Sequence, residues 1–382
     1  MTPLGVGVIG CGNISTMYLG LAPLFAGIEM RACADLDEDP ARARAEEFGL
    51  RAMKTADLLG ADDIDVVVNL TVPDVHYAIS RAILEAGKHA YSEKPLTLSL
   101  ADAEALKALA AENDLRVGAA PDTFLGGAAQ HARAHIDGGG VGRITSGTAM
   151  VMSHGMEHWH PNPDFFFQPG GGPILDVGPY YIAALVNLIG PIRRVAALTS
   201  MATPTRTISS EPRHGETIEV TTPTNAHVLL EFQSGATVSL IASWDVWAHR
   251  HANMELYGTE GSIYVPDPNF FGGEVMAGGN GVEVAALPDW DHPLGKPNKA
   301  QRMGKLANYR TAGLADMAQA IAEDRPHRCS LDLALHTVDA MTAIMQSGET
   351  GAFVTLKSTC ERPEALDPAA ARRLLAADAP VT

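Results

Sequence analysis

Three groups of residues in this sequence combine type and spacing in a way that can do chemistry. The first is Gly10-Cys11-Gly12-Asn13-Ile14-Ser15, which follows the apolar run from Leu4 to Ile9. In the register Gly10-x-Gly12-x-x-Ser15 the turn comes after a strand and opens a helix, the context a dinucleotide pyrophosphate requires. Gly10 permits the tight turn and Gly12 lets the backbone approach the phosphates. The helix from about Asn13 aims free N–H groups and its positive dipole end at them. Ser15 stands in place of a third glycine, a small-for-small change. Gly5, Gly7 and Gly10 fit the same letters but lie inside the strand, so that match is a decoy. Asp35 ends a second apolar run, where a carboxylate accepts hydrogen bonds from ribose hydroxyls and repels the extra phosphate of NADP; NAD is therefore the expected cofactor. A helix cap or solvated turn is the alternative for Asp35.

The second group is Glu93-Lys94-Pro95, which closes the strand Lys88–Tyr91 at the edge of the sheet where the nicotinamide is expected. A lysine there can bond a reacting oxygen and stabilise alkoxide charge, or relay a proton if burial lowers its pKa. The alternative is a surface lysine at a strand end. The third group is Asp176 and Tyr180, four residues apart and on one face of a helix beginning near Asp176. Pro179 confines the helix start, because proline fits only in the first turn, and Asp176 near the N-terminus is kept ionised by the dipole. Tyr180 is either a proton-transfer group or a core aromatic whose hydroxyl finds a partner.

The elements that must position these groups can be read from periodicity. Helices at Pro40–Phe48, around Ala56–Leu59, at Val75–Ala86 and from Ser99 to Asn113 alternate with strands near Ala52, at Asp65–Thr71, Lys88–Tyr91 and Leu115–Ala119. The run Asp65–Thr71 is almost continuously apolar, as in a parallel strand buried on both faces. From about Gly142 the pattern changes to β-rich runs, with Val228–Phe232 and Val238–Ile241 forming a hairpin around Gln233-Ser234-Gly235 and so an antiparallel pair. The expected fold is α/β: an N-terminal doubly wound parallel sheet over residues 1–121, then a larger domain over 122–382.

Composition narrows the function classes. The 382 residues are 46% apolar and 19% charged, an ordinary soluble globular balance for two domains. A net charge of -17 argues against nucleic-acid and anionic-membrane partners. Cys11, Cys33, Cys329 and Cys360 form no C-x-x-C pair, so neither a disulfide framework nor a zinc site is expected, and the cytoplasm is the expected compartment. No run of 18 apolar residues is present, so no transmembrane helix is expected. The stretch Ser153–Phe167 holds His154, His158 and His160, but their spacing matches no metal-ligand pair. It reads as a pocket loop, with Trp159 as a stacking face for a ring and His160 or Asp164 as hydroxyl partners; loop packing accounts for its aromatics equally well.

Taken together, Gly10-Cys11-Gly12-Asn13-Ile14, Asp35, Asn69-Leu70-Thr71-Val72-Pro73, His76, Ala86-Gly87-Lys88-His89 and Glu93-Lys94-Pro95 resemble the glucose-fructose oxidoreductase/inositol dehydrogenase (Gfo/Idh/MocA) family. Gly170–Tyr180 is similar to the family's second motif and Leu256–Ile263 to its late strand-turn-strand. The resemblance implies a Rossmann domain, a C-terminal domain on an open, mainly antiparallel sheet, and oxidation or reduction of sugars or polyols with a nicotinamide. It places Gly10, Cys11, Gly12, Asn13, Ile14, Asp35, Leu70, Thr71, Pro73, His76, Glu93 and Lys94 at the cofactor. It makes Lys94, Asp176 and Tyr180 catalytic and sets Asp122, His154, Trp159, His160 and Asp164 with them around the substrate. Many relatives carry a histidine acid/base at the position of Tyr180; the members named for glucose-fructose oxidoreductase and dihydrodiol dehydrogenase are similar to this chain in having tyrosine. Tyr180 is then the expected proton-transfer group, with the Lys94 ammonium favouring its phenolate. An uncovered sheet face implies a homodimer or homotetramer. An NAD-dependent glycosidase working by transient oxidation and a non-enzymatic NAD- and sugar-sensing regulator are the competing readings.

Overall fold

The computed structural model describes residues 2–279, 281–301 and 304–377. Six parallel strands form the first sheet: β1 (Leu4–Ile9), β2 (Ile28–Ala34), β3 (Arg51–Ala52), β4 (Val66–Asn69), β5 (His89–Ser92) and β6 (Val117–Ala119). Their order, β3-β2-β1-β4-β5-β6, reverses direction between β1 and β4, which opens a crevice at the carboxyl ends of those two strands. Every residue of β4 is buried, as expected for a central parallel strand covered by helices on both faces. The decoy glycines are explained by packing. A Cβ on Gly5 would meet the Asp63 carbonyl at 2.0 Å, and one on Gly7 the Leu58 side chain at 2.8 Å.

The second sheet has nine strands. In chain order they are β7 (Ile144–Met152), β8 (Ile192–Ser200), β9 (Asn225–Phe232), β10 (Thr237–Ser243), β11 (Met254–Gly258), β12 (Ser262–Val265), β13 (Met276–Gly279), β14 (Val282–Ala286) and β15 (Val354–Thr355). Spatially they run β14-β13-β12-β11-β7-β10-β9-β8-β15. All neighbours are antiparallel except β7 and β10. The hairpin between β9 and β10 turns at Gly235, whose φ of +85° suits glycine. Strand β9 alternates buried and outward residues, so one face of the sheet meets the core while the other carries Leu198, Leu229 and Phe353 exposed.

Against the inner face lies the helix Gly178–Ile189, buried on every side from Gly178 to Leu188. A helix apolar all round can sit only inside the molecule. It carries Tyr180 into the region between the two sheets. The last part of the chain returns to the first sheet. Ala119 N–H donates to the Cys329 carbonyl, and Ala26 N–H to that of Leu374, so residues beyond Arg328 brace the nucleotide-binding half.

Candidate active site

At the end of β1 the backbone turns through Gly10, with φ +101°. A Cβ there would stand 2.6 Å from the Leu70 carbonyl and 2.8 Å from Thr71 N, so only glycine lets the turn lie against the end of β4. Gly12, the next residue but one, faces the other way: a Cβ on it would meet nothing within 4 Å. Gly12 caps the helix Asn13–Leu21 without any side-chain hydrogen bond, which leaves its first N–H groups free toward that open space. The room beside Gly12, the uncapped helix end and the close approach at Gly10 fit a dinucleotide pyrophosphate. Gly12 and Asn13 are exposed, whereas Cys11 is buried and Ile14 half-buried. Ser15 is fully buried and donates to the Gly12 carbonyl at 2.6 Å, tightening the turn. The Asp35 carboxylate lies at the same turn, accepting from Cys11 N–H at 2.7 Å and from Asp37 N–H at 3.1 Å.

Across the crevice, Asn69 organises the end of β4. Its amide donates to the His76 carbonyl and to Ser80, each at 3.0 Å, and its Oδ1 accepts from the Thr71 hydroxyl at 2.6 Å. Leu70 is buried, and Pro73 opens a single helical turn that leads into the helix His76–Glu85. The His76 ring is buried between two carbonyls, with Nδ1 2.6 Å from Pro95 O and Nε2 2.9 Å from Thr71 O. His76 thereby clamps the cofactor-side loop to the lysine loop.

Lys94 follows β5. Its Nζ lies 2.7 Å from both the Oδ1 and the backbone carbonyl of Asp176, and 5.3 Å from the centre of the Tyr180 ring. The three residues singled out for catalysis therefore converge. Two details differ from the sequence reading. Burial pulls the Lys94 pKa down, but Asp176, then Tyr180 and Glu93, outweigh it and hold that pKa above the ordinary value for lysine. Lys94 is thus a standing positive charge and not a proton relay with a lowered pKa. Asp176 also does not begin the Tyr180 helix. It closes a four-residue helix, Pro173–Asp176, and Val177 separates this from Gly178–Ile189, whose first turn holds Pro179. The break frees the Asp176 carbonyl to accept from Lys94.

Glu93 faces inward. Its carboxylate accepts from the Tyr18 hydroxyl at 2.9 Å and from Lys94 N–H at 2.9 Å, so it ties the lysine loop to the helix that starts at the cofactor turn. Asp122 is buried, and its Oδ2 accepts from the N–H groups of Thr311 and Gly313, each at 3.0 Å. Its carboxylate holds the start of the helix Ala312–Glu323. Burial raises the Asp122 pKa to about 6 against the pull of those bonds and of Arg310.

The loop Ser153–Phe167 divides in two. Phe166 and Phe167 pack with Ile208, Ile218, Val220 and Trp244 in a small core of their own, while Trp159 and Phe165 stay exposed. His160 lies edge-on to Trp159, Phe165 and Phe166, and its Nδ1 accepts from Asn162 N–H at 3.1 Å, which leaves Nε2 to carry the proton of the neutral ring. Burial lowers the His160 pKa against the attraction of Asp176. His154 stacks on Trp247, and Asp164 is paired with Arg213.

One residue at the site was missed by sequence reasoning. Arg310 is anchored through Nη1 to Asn308 Oδ1 at 3.3 Å and through Nη2 to Asn269 Oδ1 at 3.2 Å, and burial pulls its pKa down while Tyr180, Asp122 and Glu93 outweigh it. No motif surrounds it. The only signal was an arginine just before an apolar helix in an acidic chain.

Residues 4–120 match an oxidoreductase family with an NAD-binding Rossmann fold, and residues 129–264 match the GFO/IDH/MocA C-terminal domain. This chain belongs to the Gfo/Idh/MocA family. Its first sheet belongs to an NAD-binding Rossmann domain, and the uncapped helix end at Gly12 suits the phosphates of such a cofactor. Among Gfo/Idh/MocA relatives, a dTDP-3,4-didehydro-2,6-dideoxy-alpha-D-glucose 3-reductase of Streptomyces violaceoruber is 33% identical over 199 residues, which span 50% of this chain and 56% of that protein. Levoglucosan dehydrogenase of Pseudarthrobacter phenanthrenivorans is 26% identical over 290 residues, 69% of this chain and 73% of the relative. A solved levoglucosan dehydrogenase in complex with NADH and levoglucosan shares the fold with a TM-score of 0.79 and 23% identity, covering 94% of this chain and 100% of its own.

Proposed function

We propose that this oxidoreductase is an NAD-dependent dehydrogenase acting on a secondary alcohol of a sugar, sugar derivative or polyol. The observation that carries the reading is the Lys94–Asp176 pair beside Tyr180, set at the sheet edge next to the Gly10–Gly12 turn. Bound NAD supplies a hydride acceptor at the nicotinamide ring, held by the turn, by Asp35 at the ribose and by the Leu70–Pro73 loop. The protein must then fix the carbinol carbon and manage one proton. Lys94 donates to the substrate oxygen and stabilises its negative charge as the proton leaves. Tyr180, acting as its phenolate, would take that proton while the hydride leaves carbon for the nicotinamide, so the carbinol becomes a carbonyl. Asp176 keeps Lys94 charged and aimed. His160, through its Nε2, and Trp159, through its exposed face, border the substrate. The sugar-directed names of the relatives support the substrate class. The exposed apolar side chains Leu198, Leu229 and Phe353 on the outer sheet face support assembly of copies through that face.

The test is a panel of monosaccharides, anhydrosugars, inositols and glycosides, scored for NADH formation. Turnover of at least one polyhydroxylated substrate is expected. Release of reducing sugar from a glycoside without net NADH would replace the dehydrogenase by a glycosidase, and NAD binding with no turnover at all would replace it by a sensor.

A further inference from the structure

The pocket loop Ser153–Phe167 is fastened to a unit outside the main core. The strand Thr205–Thr207 pairs with Thr217–Glu219 as a two-stranded ribbon, and Phe166, Phe167 and Trp244 pack with Ile208, Ile218 and Val220 beside it. Within that small apolar core an arginine is buried. Arg206 donates through Nη1 to Glu157 Oε1 at 2.8 Å and to the His154 carbonyl at 3.3 Å. Through Nη2 it donates to the Trp244 carbonyl at 3.1 Å and to Asp245, and its guanidinium carbon lies 5.4 Å from the centre of the Phe167 ring. The Arg206 and Glu157 side chains are only 8% and 5% exposed. Taking such charges out of water is costly, and apolar side chains of similar size would hold a core at least as well. What the charges add is direction, because a planar fork meets two carboxylates and two carbonyls in one geometry only.

That geometry reaches the site. Ser209 and Ser210 N–H donate to the Glu157 carbonyl at 2.9 and 3.2 Å, and the Ser210 hydroxyl donates to the His160 carbonyl at 2.6 Å. On the other side of the loop, the Phe166 carbonyl accepts from Gly172 N–H at 2.8 Å, and the Gly172 carbonyl from Asp176 N–H at 3.0 Å. We propose that Arg206 is a positioning residue for the sugar: it locks the loop Ser153–Phe167 between the ribbon and the Trp244-Asp245 corner, and so fixes His160 at the substrate end of the site. This rests on the sugar dehydrogenase reading. The competing role is to stabilise the ribbon alone, with no bearing on sugar binding.

Arg206→Met keeps bulk against Phe167 and removes the fork. With the fastest sugar of the panel and saturating NAD, its KM for the sugar is expected to rise roughly 10-fold or more, while kcat stays within about three-fold because Lys94 and Asp176 keep their own pairing. The NAD Kd should also stay within about three-fold. Hydrogen exchange should quicken in peptides from 153–167 and stay at the wild-type rate in those from 4–120. If Arg206→Met does not fold, Arg206→Met with Glu157→Gln and Asp245→Asn, which strands no charge in the core, carries the same measurements. A folded variant with a wild-type sugar KM would overturn the positioning role, as would an equal rise in sugar KM and NAD Kd, the mark of general loosening. A wild type that turns over no member of the panel would instead remove the dehydrogenase reading, and the positioning role with it.

Discussion

Lys94 and Asp176 join the two halves of the site: the lysine leaves the parallel sheet at β5, the aspartate closes a turn of the second domain, and Nζ lies 2.7 Å from both the carboxylate and the backbone carbonyl. The pair is mostly shielded, with side-chain exposures of 15% and 25%, so solvent and salt screen it little. Asp176 is the largest of the influences that hold the Lys94 pKa above the ordinary lysine value against burial.

Asp176→Asn keeps an acceptor for Nζ and removes the charge that lifts the Lys94 pKa. Burial then acts with less opposition, so the ammonium is lost at lower pH than in the wild type. The alkaline fall in kcat/KM should begin earlier, with kcat reduced roughly 10-fold at neutral pH. An unchanged pH profile would show that Asp176 does not govern Lys94.

Tyr180→Phe deletes one hydroxyl and keeps the ring under Lys94. It should lower kcat roughly 10²-fold or more, with NAD Kd and Tm close to wild type. A fall in Tm with little change in kcat would make the residue a core aromatic, and the proton would then have to leave through another group such as His160.

Asp35→Ser with Leu36→Arg should weaken NAD and improve NADP, because it removes the carboxylate that repels a 2′-phosphate and offers a guanidinium in its place. Leu36 is fully exposed, so the arginine has room. Steady-state kinetics with both cofactors measure the change; a wild-type preference for NADP would contradict the role given to Asp35.

Asp122 makes the stability of the fold depend on pH in a sense unusual for an aspartate. Its pKa is raised from 3.8 to about 6, so the native state holds a proton that the unfolded chain releases between those values. Stability from this group therefore rises as pH falls through 6, by about 3 kcal/mol over the whole titration. Asp122→Asn keeps an acceptor for Thr311 and Gly313 N–H and lacks the titration. Between pH 7.5 and 5 the Tm of the wild type should gain on that of the variant. Parallel Tm curves would show that burial does not raise this pKa.

The parts legible in the sequence were those governed by local rules. A strand-turn-helix marked by Gly10 and Gly12, the apolar run at β4 and the Gly235 hairpin each show in a few consecutive residues, because backbone sterics and side-chain period leave few alternatives. Long-range pairings did not show. That Asp164 is paired with Arg213 and that Asp122 serves Thr311 and Gly313 depends on residues 49 and about 190 positions away. The helix start near Asp176 was displaced by a single joint at Val177; Pro179 confined the start to its own first turn, but nothing in the sequence marked the separate four-residue helix Pro173–Asp176 before it. The charge state of Lys94 stayed open in the sequence for a related reason: burial alone lowers the pKa and a neighbouring carboxylate raises it, and only the folded distance to Asp176 shows which effect wins.

The central claim is that Lys94 supplies the charge on which the reaction depends, and Lys94→Met tests it most directly. The substitution keeps the bulk of the stem and removes the ammonium. Measured on the best sugar of the panel, kcat should fall roughly 10²- to 10⁴-fold while NAD affinity and the far-UV CD spectrum are retained. A folded, NAD-binding Lys94→Met protein with near-normal kcat would contradict the account.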